Sequence, residues 1–164
     1  MKEQTKVRAG ILVAAGLAAD GLIHVYWTTG NIWPAPDEKT LSLAVLNMNV
    51  SFGPFIVFPL ACLLFCGALT ALARVHCLGR FGQMIPNSIL QRGILVIATG
   101  LLLRSLAGII WVLGLGADPS TTFYWLNLLV YTPLCLILFA ATVAAARSGR
   151  SHGHKMHTEG ARPD

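Results

Sequence analysis

The chain has little charge for its length, and this scarcity excludes an ordinary soluble fold. Charged residues make up 12% of the 164 positions, whereas hydrophobic residues make up 55%. Soluble domains usually carry about a quarter charged residues. A soluble fold of this size has too small an interior to bury so much apolar surface. We therefore expect an integral membrane protein.

The sequence also lacks the motifs of common catalytic and metal centres. It contains no Gly-x-Ser-x-Gly, no His-Glu-x-x-His and no phosphate-binding loop. Its four cysteines include no Cys-x-x-Cys pair, so we interpret them as small buried residues. The histidines near the carboxyl end, His152, His154 and His157, do not complete a metal site. We expect no bound metal and no cofactor.

The basic residues do not form a stripe, although the formal net charge is +5. They stand at the ends of apolar runs, and no aromatic residues are interleaved with them. A nucleic-acid-binding surface needs clustered basic residues, so nucleic acid is excluded as a partner. The lipid bilayer is the partner that this pattern predicts.

Four apolar runs predict an all-α fold, an integral membrane four-helix bundle. The first run, residues 9–27, has 19 residues, which at about 1.5 Å per residue span a hydrocarbon core of about 30 Å. Gly53-Pro54 breaks a longer apolar stretch, which predicts a short interfacial helix before it. The predicted spans are residues 9–27, 52–73, 94–115 and 123–146, between a polar amino end (1–8) and a disordered polar tail (147–164).

The distribution of Lys and Arg predicts that both termini are cytoplasmic. Basic residues concentrate in the amino end, in the loop after the second span and in the tail. The other two loops contain one basic residue, Lys39. Positive charge stays on the cytoplasmic side of the cell membrane, so the first and third spans run outward.

Two charged residues lie inside predicted spans at matching depths. Asp20 is about 16 Å and Arg104 about 15 Å from the inner boundary, which predicts an ion pair near the midplane. A second polar level, closer to the outer surface, is predicted from His24 and Asn127. Tyr131 follows Asn127 by one turn, and Trp111 follows Arg104 on the same helical face.

These six residues are the predicted binding site, and they permit two interpretations. A buried ion pair of Asp20 and Arg104 would fix the register of the helices and do nothing else. A functional centre is the other interpretation, because His24 titrates near neutral pH and a register clamp has no need of such a group.

The residues that carry a family resemblance lie on the same spans. They are His24-Val25-Tyr26-Trp27, a Pro-rich outer loop, Arg104, and the run from Phe123-Tyr124-Trp125-Leu126-Asn127 to Tyr131-Thr132-Pro133-Leu134. In these features the chain, over about residues 11–146, resembles a domain-of-unknown-function group of small bacterial four-span membrane proteins. The resemblance implies the fold and the membrane location, and it implies no activity.

Three functions remain open at this point. The first is a binding or sensing module, or an accessory subunit, whose outer pocket takes a small apolar or amphipathic ligand. The second is a proton-coupled transporter with Asp20 and His24 as the relay, which four spans support only in a homo-oligomer. The third is a membrane-embedded enzyme with His24 as acid or base, and no visible nucleophile or metal set supports it. We expect a binding protein rather than an enzyme.

The predicted orientation is testable with reporter fusions. A reporter that is active only in the cytoplasm should work when it is fused after Asp164 and should fail in the loop at residues 28–39. A reporter that is active only outside the cytoplasm should show the reverse pattern. An external signal from the fusion at Asp164 would contradict the orientation.

Overall fold

The structure, a computed structural model, describes residues 2–147 and consists of helices and connecting turns. In chain order the helices are α1 (Glu3–Thr28), α2 (Glu38–Leu46), α3 (Pro54–Arg74), α4 (Gly79–Gln83), α5 (Asn87–Val112), α6 (Thr122–Leu126), a π-helical turn at Asn127–Tyr131, and α7 (Thr132–Ala146). Four stretches are long and apolar enough to cross a membrane: α1, α3, α5 and the continuous stretch Thr122–Ala146. The predicted all-α fold with four spans is confirmed. The tail predicted to be disordered lies, except for Arg147, outside the described residues.

The helices extend beyond some of the predicted spans. Helix α1 begins at Glu3, so the polar amino end forms its first turn. In that turn Lys6 Nζ pairs with Glu3 Oε2 at 2.9 Å. Helix α5 begins at Asn87 and ends at Val112. Two glycines with positive φ, Gly114 and Gly116, follow it in the next loop. The short helix expected before Gly53 is present as α2.

The four long helices form a ring in which each contacts two neighbours. Helix α1 packs mainly against α3 and α7, and α5 packs mainly against the same two helices. Helices α1 and α5 therefore lie on a diagonal of the bundle. This arrangement decides which polar side chains can meet.

The centre of the bundle is closed by small and branched apolar residues. One buried cluster joins Val13, Ala14 and Leu17 of α1 to two alanines of α3 and to Ile94 of α5. Gly93 allows α5 to approach α3, since a methyl group there would lie 2.7 Å from Thr70 Cγ2. Such close approach is how helices associate in lipid, where packing replaces the hydrophobic effect.

Arg74, the last residue of α3, closes the end of the bundle opposite α2. Its side chain is buried and donates hydrogen bonds to Asn87 Oδ1 (2.6 Å), Gln91 Oε1 (2.9 Å) and the carbonyl of Ala146 (2.9 Å). The Ala146 carbonyl ends α7, so the guanidinium also meets the negative end of a helix dipole. Arg74 thus ties α3 to α5 and α7.

Candidate functional site

A large cleft opens at the end of the bundle where α2 lies. Its volume is about 1080 Å³. The walls come from the carboxyl-terminal half of α1, the segment that leads into and includes α2, and the start of the last span. Most of the lining side chains are apolar or aromatic, among them Trp27, Trp33, Leu41, Phe123 and Leu126. Concave apolar spaces of this kind, with a few polar groups, are typical ligand sites.

The α2 wall is fixed at both of its ends. The Asp37 carboxylate caps the helix, since it accepts hydrogen bonds from Thr40 N and Oγ1, both at 2.8 Å. These bonds, the backbone one first, hold the pKa of Asp37 below its ordinary value. At the other end Asn47 has φ +56° and donates from Nδ2 to the Gly116 carbonyl at 2.7 Å. Because its pKa is lowered, the Asp37 carboxylate keeps its charge at the cap until the pH falls through that lowered pKa.

A second contact joins α2 to the start of α3. Glu38 Oε1 accepts hydrogen bonds from Phe52 N at 2.6 Å and from Ser51 Oγ at 3.0 Å. Leu41 of α2 forms a buried cluster with Trp27 of α1 and Val57 of α3. The cleft wall is thus anchored to α1, to α3 and to the loop after α5.

Asp20 and His24, one turn apart on α1, both line the cleft. His24 Nδ1 lies 2.8 Å from the Asp20 carbonyl oxygen and 3.4 Å from the Asp20 Oδ1 atom. A carbonyl oxygen only accepts, so Nδ1 carries the proton, and Nε2 holds the lone pair of the neutral ring. Among residues 2–147, Nε2 has no hydrogen-bond partner and is not fully enclosed. The site therefore presents Nε2 as a free acceptor.

The Asp20 carboxylate is open to the cleft. Its side chain is 54% exposed, against 12% for His24, and within the described chain its charged-group contact is with His24, an ion pair when the ring is protonated. Tyr131 on the π-helical turn lines the same cleft, and its hydroxyl has no hydrogen-bond partner within residues 2–147. Asp20, His24 and Tyr131 are three of the six predicted site residues.

Arg104, Trp111 and Asn127 form a separate cluster that does not line the cleft. Arg104 Nη1 donates to Asn127 Oδ1 at 3.1 Å, and the guanidinium carbon lies 5.2 Å from the Trp111 ring centroid. It also lies 5.5 Å from the ring of Tyr131, which therefore belongs to both groups. Two aromatic faces and one amide thus solvate this cation inside the bundle.

The predicted direct ion pair between Asp20 and Arg104 is wrong. Within the described part of the chain, Asp20 pairs with His24 and no carboxylate lies within 4.0 Å of Arg104. The depths were matched, but α1 and α5 lie on a diagonal of the ring. The depth of a residue gives the height of its side chain in the membrane, but it does not determine which other side chains it contacts. Tyr131 stands near both charges instead, since it lines the cleft beside Asp20 and touches Arg104.

Asn127 holds the second cluster together. It is fully buried, donates from Nδ2 to the Gly108 carbonyl at 2.8 Å, and accepts from Thr132 Oγ1 at 3.2 Å. The contact with Thr132, five residues further on, depends on the π-helical turn between them. Pro133 follows this turn, and a widened turn relieves the clash between a proline ring and the preceding turn of the helix.

The sequence analysis missed the α2 wall. It placed a short helix before Gly53 but assigned no site residue to it, although Thr40, Leu43, Ala44 and Asn47 line the cleft. The available signal was the loop before α2, where Trp33 and two prolines stand together and also line the cleft. In the described chain no group of three His, Cys, Asp or Glu residues is arranged to hold a metal ion.

Comparison with known proteins places this arrangement in a family. The family model described as "Protein of unknown function (DUF3995)" matches residues 17–145. The chain belongs to this family. The match covers the cleft residues of α1, the Arg104 cluster and most of α7, which confirms the resemblance to a family of unknown function. No curated protein and no solved structure matches the chain.

The close contact at Gly108 gives a test of the Asn127 cluster. A methyl group at this position would overlap Thr132 Oγ1 and lie 3.2 Å from Asn127 Oδ1. Gly108→Ala should therefore lower the free energy of unfolding in detergent by about 1–3 kcal/mol. Gly100→Ala is the matched control on α5, because nothing lies within 4 Å of the added methyl. Equal melting temperatures for the two variants would show that the helices do not meet at Gly108.

Proposed function

We propose that this protein is a multi-pass protein of the cell membrane whose cleft binds a small amphipathic molecule. In this proposal both termini are cytoplasmic, and the cleft faces the outer half of the bilayer. The orientation is supported by basic residues at the ends opposite the cleft, including Lys2, Lys6 and Arg8 before α1. The single observation that carries the proposal is the cleft itself, with its apolar walls and with polar groups that remain available to bind a ligand.

The size of the cleft fits a ligand rather than a packing defect. Voids in well-packed proteins are few and seldom larger than a water molecule. Ligand pockets measure about 300–1000 Å³, and this cleft has about 1080 Å³. That volume is large enough for a molecule whose apolar body is a ring or a hydrocarbon chain. The aromatic and aliphatic walls also suit such a body.

The polar groups of the cleft are divided between its rim and its α1 wall. At the rim, Thr40 and Asn47 already bond to Asp37 and Gly116, and Thr121 Oγ1 bonds to the Asp118 carbonyl at 2.6 Å. Within residues 2–147 the Asp20 carboxylate contacts His24 Nδ1, whereas His24 Nε2 and the Tyr131 hydroxyl have no hydrogen-bond partner. A ligand with an apolar body and one hydrogen-bonding head satisfies both parts of the site.

A substitution that fills the cleft tests the proposal. Ala44 of α2 lines the cleft, whereas Ala15 of α1 is exposed and lies outside it. N-phenyl-1-naphthylamine, a neutral fluorescent amphiphile, should bind saturably to the protein in lipid nanodiscs. Ala44→Trp should weaken this binding at least about tenfold because a Trp side chain adds bulk to the space that the probe needs. Ala15→Trp should leave it unchanged.

Two results would overturn the proposal. One is binding by wild-type protein that does not exceed partition into empty nanodiscs. The other is an equal loss of binding in the Ala44→Trp and Ala15→Trp variants when both keep the melting temperature of the wild type.

A further inference from the structure

We infer that the cleft is selective for amphipathic cations, and that a bound cation displaces a proton from the Asp20–His24 pair. The inference rests on the proposed function, since it names the chemical class of the ligand for the same cleft. A substituted ammonium group with an apolar body is the simplest member of that class.

The charge of the lining residues carries the first step. Within residues 2–147, Asp20 is the one carboxylate that lines the cleft, and no Lys or Arg lines it. Its side chain is about half exposed to that space. Charges interact more strongly beside low-dielectric walls than in water, so an open carboxylate there attracts a cation and repels an anion.

Arg104, a cation of the protein itself, does not pair with the Asp20 carboxylate. Arg104 is held by Asn127 and by the rings of Trp111 and Tyr131, and it does not line the cleft. Arg104 therefore cannot serve as the direct partner of Asp20 in this arrangement. The position next to the Asp20 carboxylate stays available to a cation that enters from outside.

The walls supply the second requirement for a substituted ammonium ion. Tyr26, Trp27 and Trp33 all line the cleft beside α1, and Trp33 is 73% exposed. The negative face of an aromatic ring attracts a quaternary ammonium group, and indole rings do so most strongly. Aliphatic side chains of α2 such as Leu41 and Leu43 remain for the apolar body of the ligand.

His24 links cation binding to a proton. The Nδ1–H group lies 3.4 Å from Asp20 Oδ1, so protonation of Nε2 places an imidazolium beside the carboxylate and makes the pair neutral. An incoming cation that takes the carboxylate as its partner raises the cost of the imidazolium. The proton on Nε2 then passes to solvent and the ring becomes neutral. The occupied site, a carboxylate with the ligand cation, keeps the zero net charge that the imidazolium–carboxylate pair had.

The groups around the pair do not replace His24 in this exchange. Helix α7 and its π-helical turn bring Tyr131 and Cys135, and α5 brings Arg104, whose charge acts on both of them. Helix α3, which packs against α1, carries the thiols Cys62 and Cys66, which are exposed rather than buried as interpreted from the sequence and do not line the cleft. The lining residues of the α2 segment include no titratable side chain. His24 is the neighbour of Asp20 whose ordinary pKa lies near neutrality.

The test compares three probes that share a 3-phenylpropyl body and differ in the head group, on the full chain in nanodiscs. They are 3-phenylpropyltrimethylammonium, its uncharged tert-butyl isostere, and the anion 4-phenylbutyrate. Titration calorimetry in buffers of different ionisation enthalpy measures affinity and proton release together. We expect the cation to bind at least about tenfold more tightly than the isostere at pH 7, with proton release and with affinity that rises from pH 5 to 8.

Two variants separate the carboxylate from its surroundings. Asp20→Asn should abolish the preference for the cation, so that the cation and its uncharged isostere bind with equal affinity. Asp118→Asn is the matched control, because Asp118 is an exposed carboxylate of the loop after α5 that does not line the cleft. It should keep both the preference and the proton release. His24→Gln should keep the preference and lose the proton release.

The outcomes distinguish this inference from the proposed function. Equal affinity of the wild type for the cation and the isostere, with binding lost in Ala44→Trp, would overturn cation selectivity and leave the cleft as a ligand site. A cation preference that survives Asp20→Asn would also overturn it. Binding of the cation without proton release would contradict the exchange. Failure of every probe, including the neutral naphthylamine, would count against the proposed function itself.

Discussion

The arrangement of this site depends on the solvation of Arg104 inside the bundle. A guanidinium at the centre of a membrane helix costs about 2.5–3.5 kcal/mol on insertion scales if nothing offsets it. The protein offsets this cost with Asn127 and with two aromatic faces, rather than with a carboxylate. Asn127 can take this role because Gly108 lets α7 approach α5 and offers its carbonyl to the other end of the amide.

The solvation of Arg104 determines the character of the cleft. Because Arg104 is satisfied on the α5–α7 side, Asp20 remains free on the α1 side, with His24 as its neighbour. Tyr131 belongs to both groups, because its ring contacts Arg104 and the residue also lines the cleft. The π-helical turn that ends at Tyr131 also brings Thr132 to Asn127. Such turns are often found at functional sites, and here one turn serves both groups.

Much of the fold follows from the sequence because span length and charge placement are one-dimensional properties. The apolar runs predicted the four spans, and the break at Gly53-Pro54 predicted a helix before it. The burial of Arg74 does not follow from the sequence in this way, because its partners Asn87, Gln91 and Ala146 come from other helices. Only the packing of three helices shows that a residue at the edge of a basic loop is buried.

The sequence pointed to the polar residues of the spans and not to their pairing. Polar residues inside apolar runs are costly, so Asp20, His24, Arg104 and Asn127 stood out. Their depths predicted two polar levels, but the order of helices around the bundle decides which of them meet. No periodicity in the sequence revealed that α1 and α5 lie on a diagonal, or that α2 folds over the end of α1.

Two double-mutant cycles, measured by unfolding in detergent, test the central claim that Arg104 belongs to Asn127 and not to Asp20. The cycle of Arg104→Gln with Asn127→Leu should give a coupling free energy of about 1 kcal/mol or more, because the two side chains share a buried hydrogen bond. The cycle of Arg104→Gln with Asp20→Asn should add to within about 0.5 kcal/mol. Strong coupling of Arg104 to Asp20 together with additive losses for Arg104 and Asn127 would contradict the account.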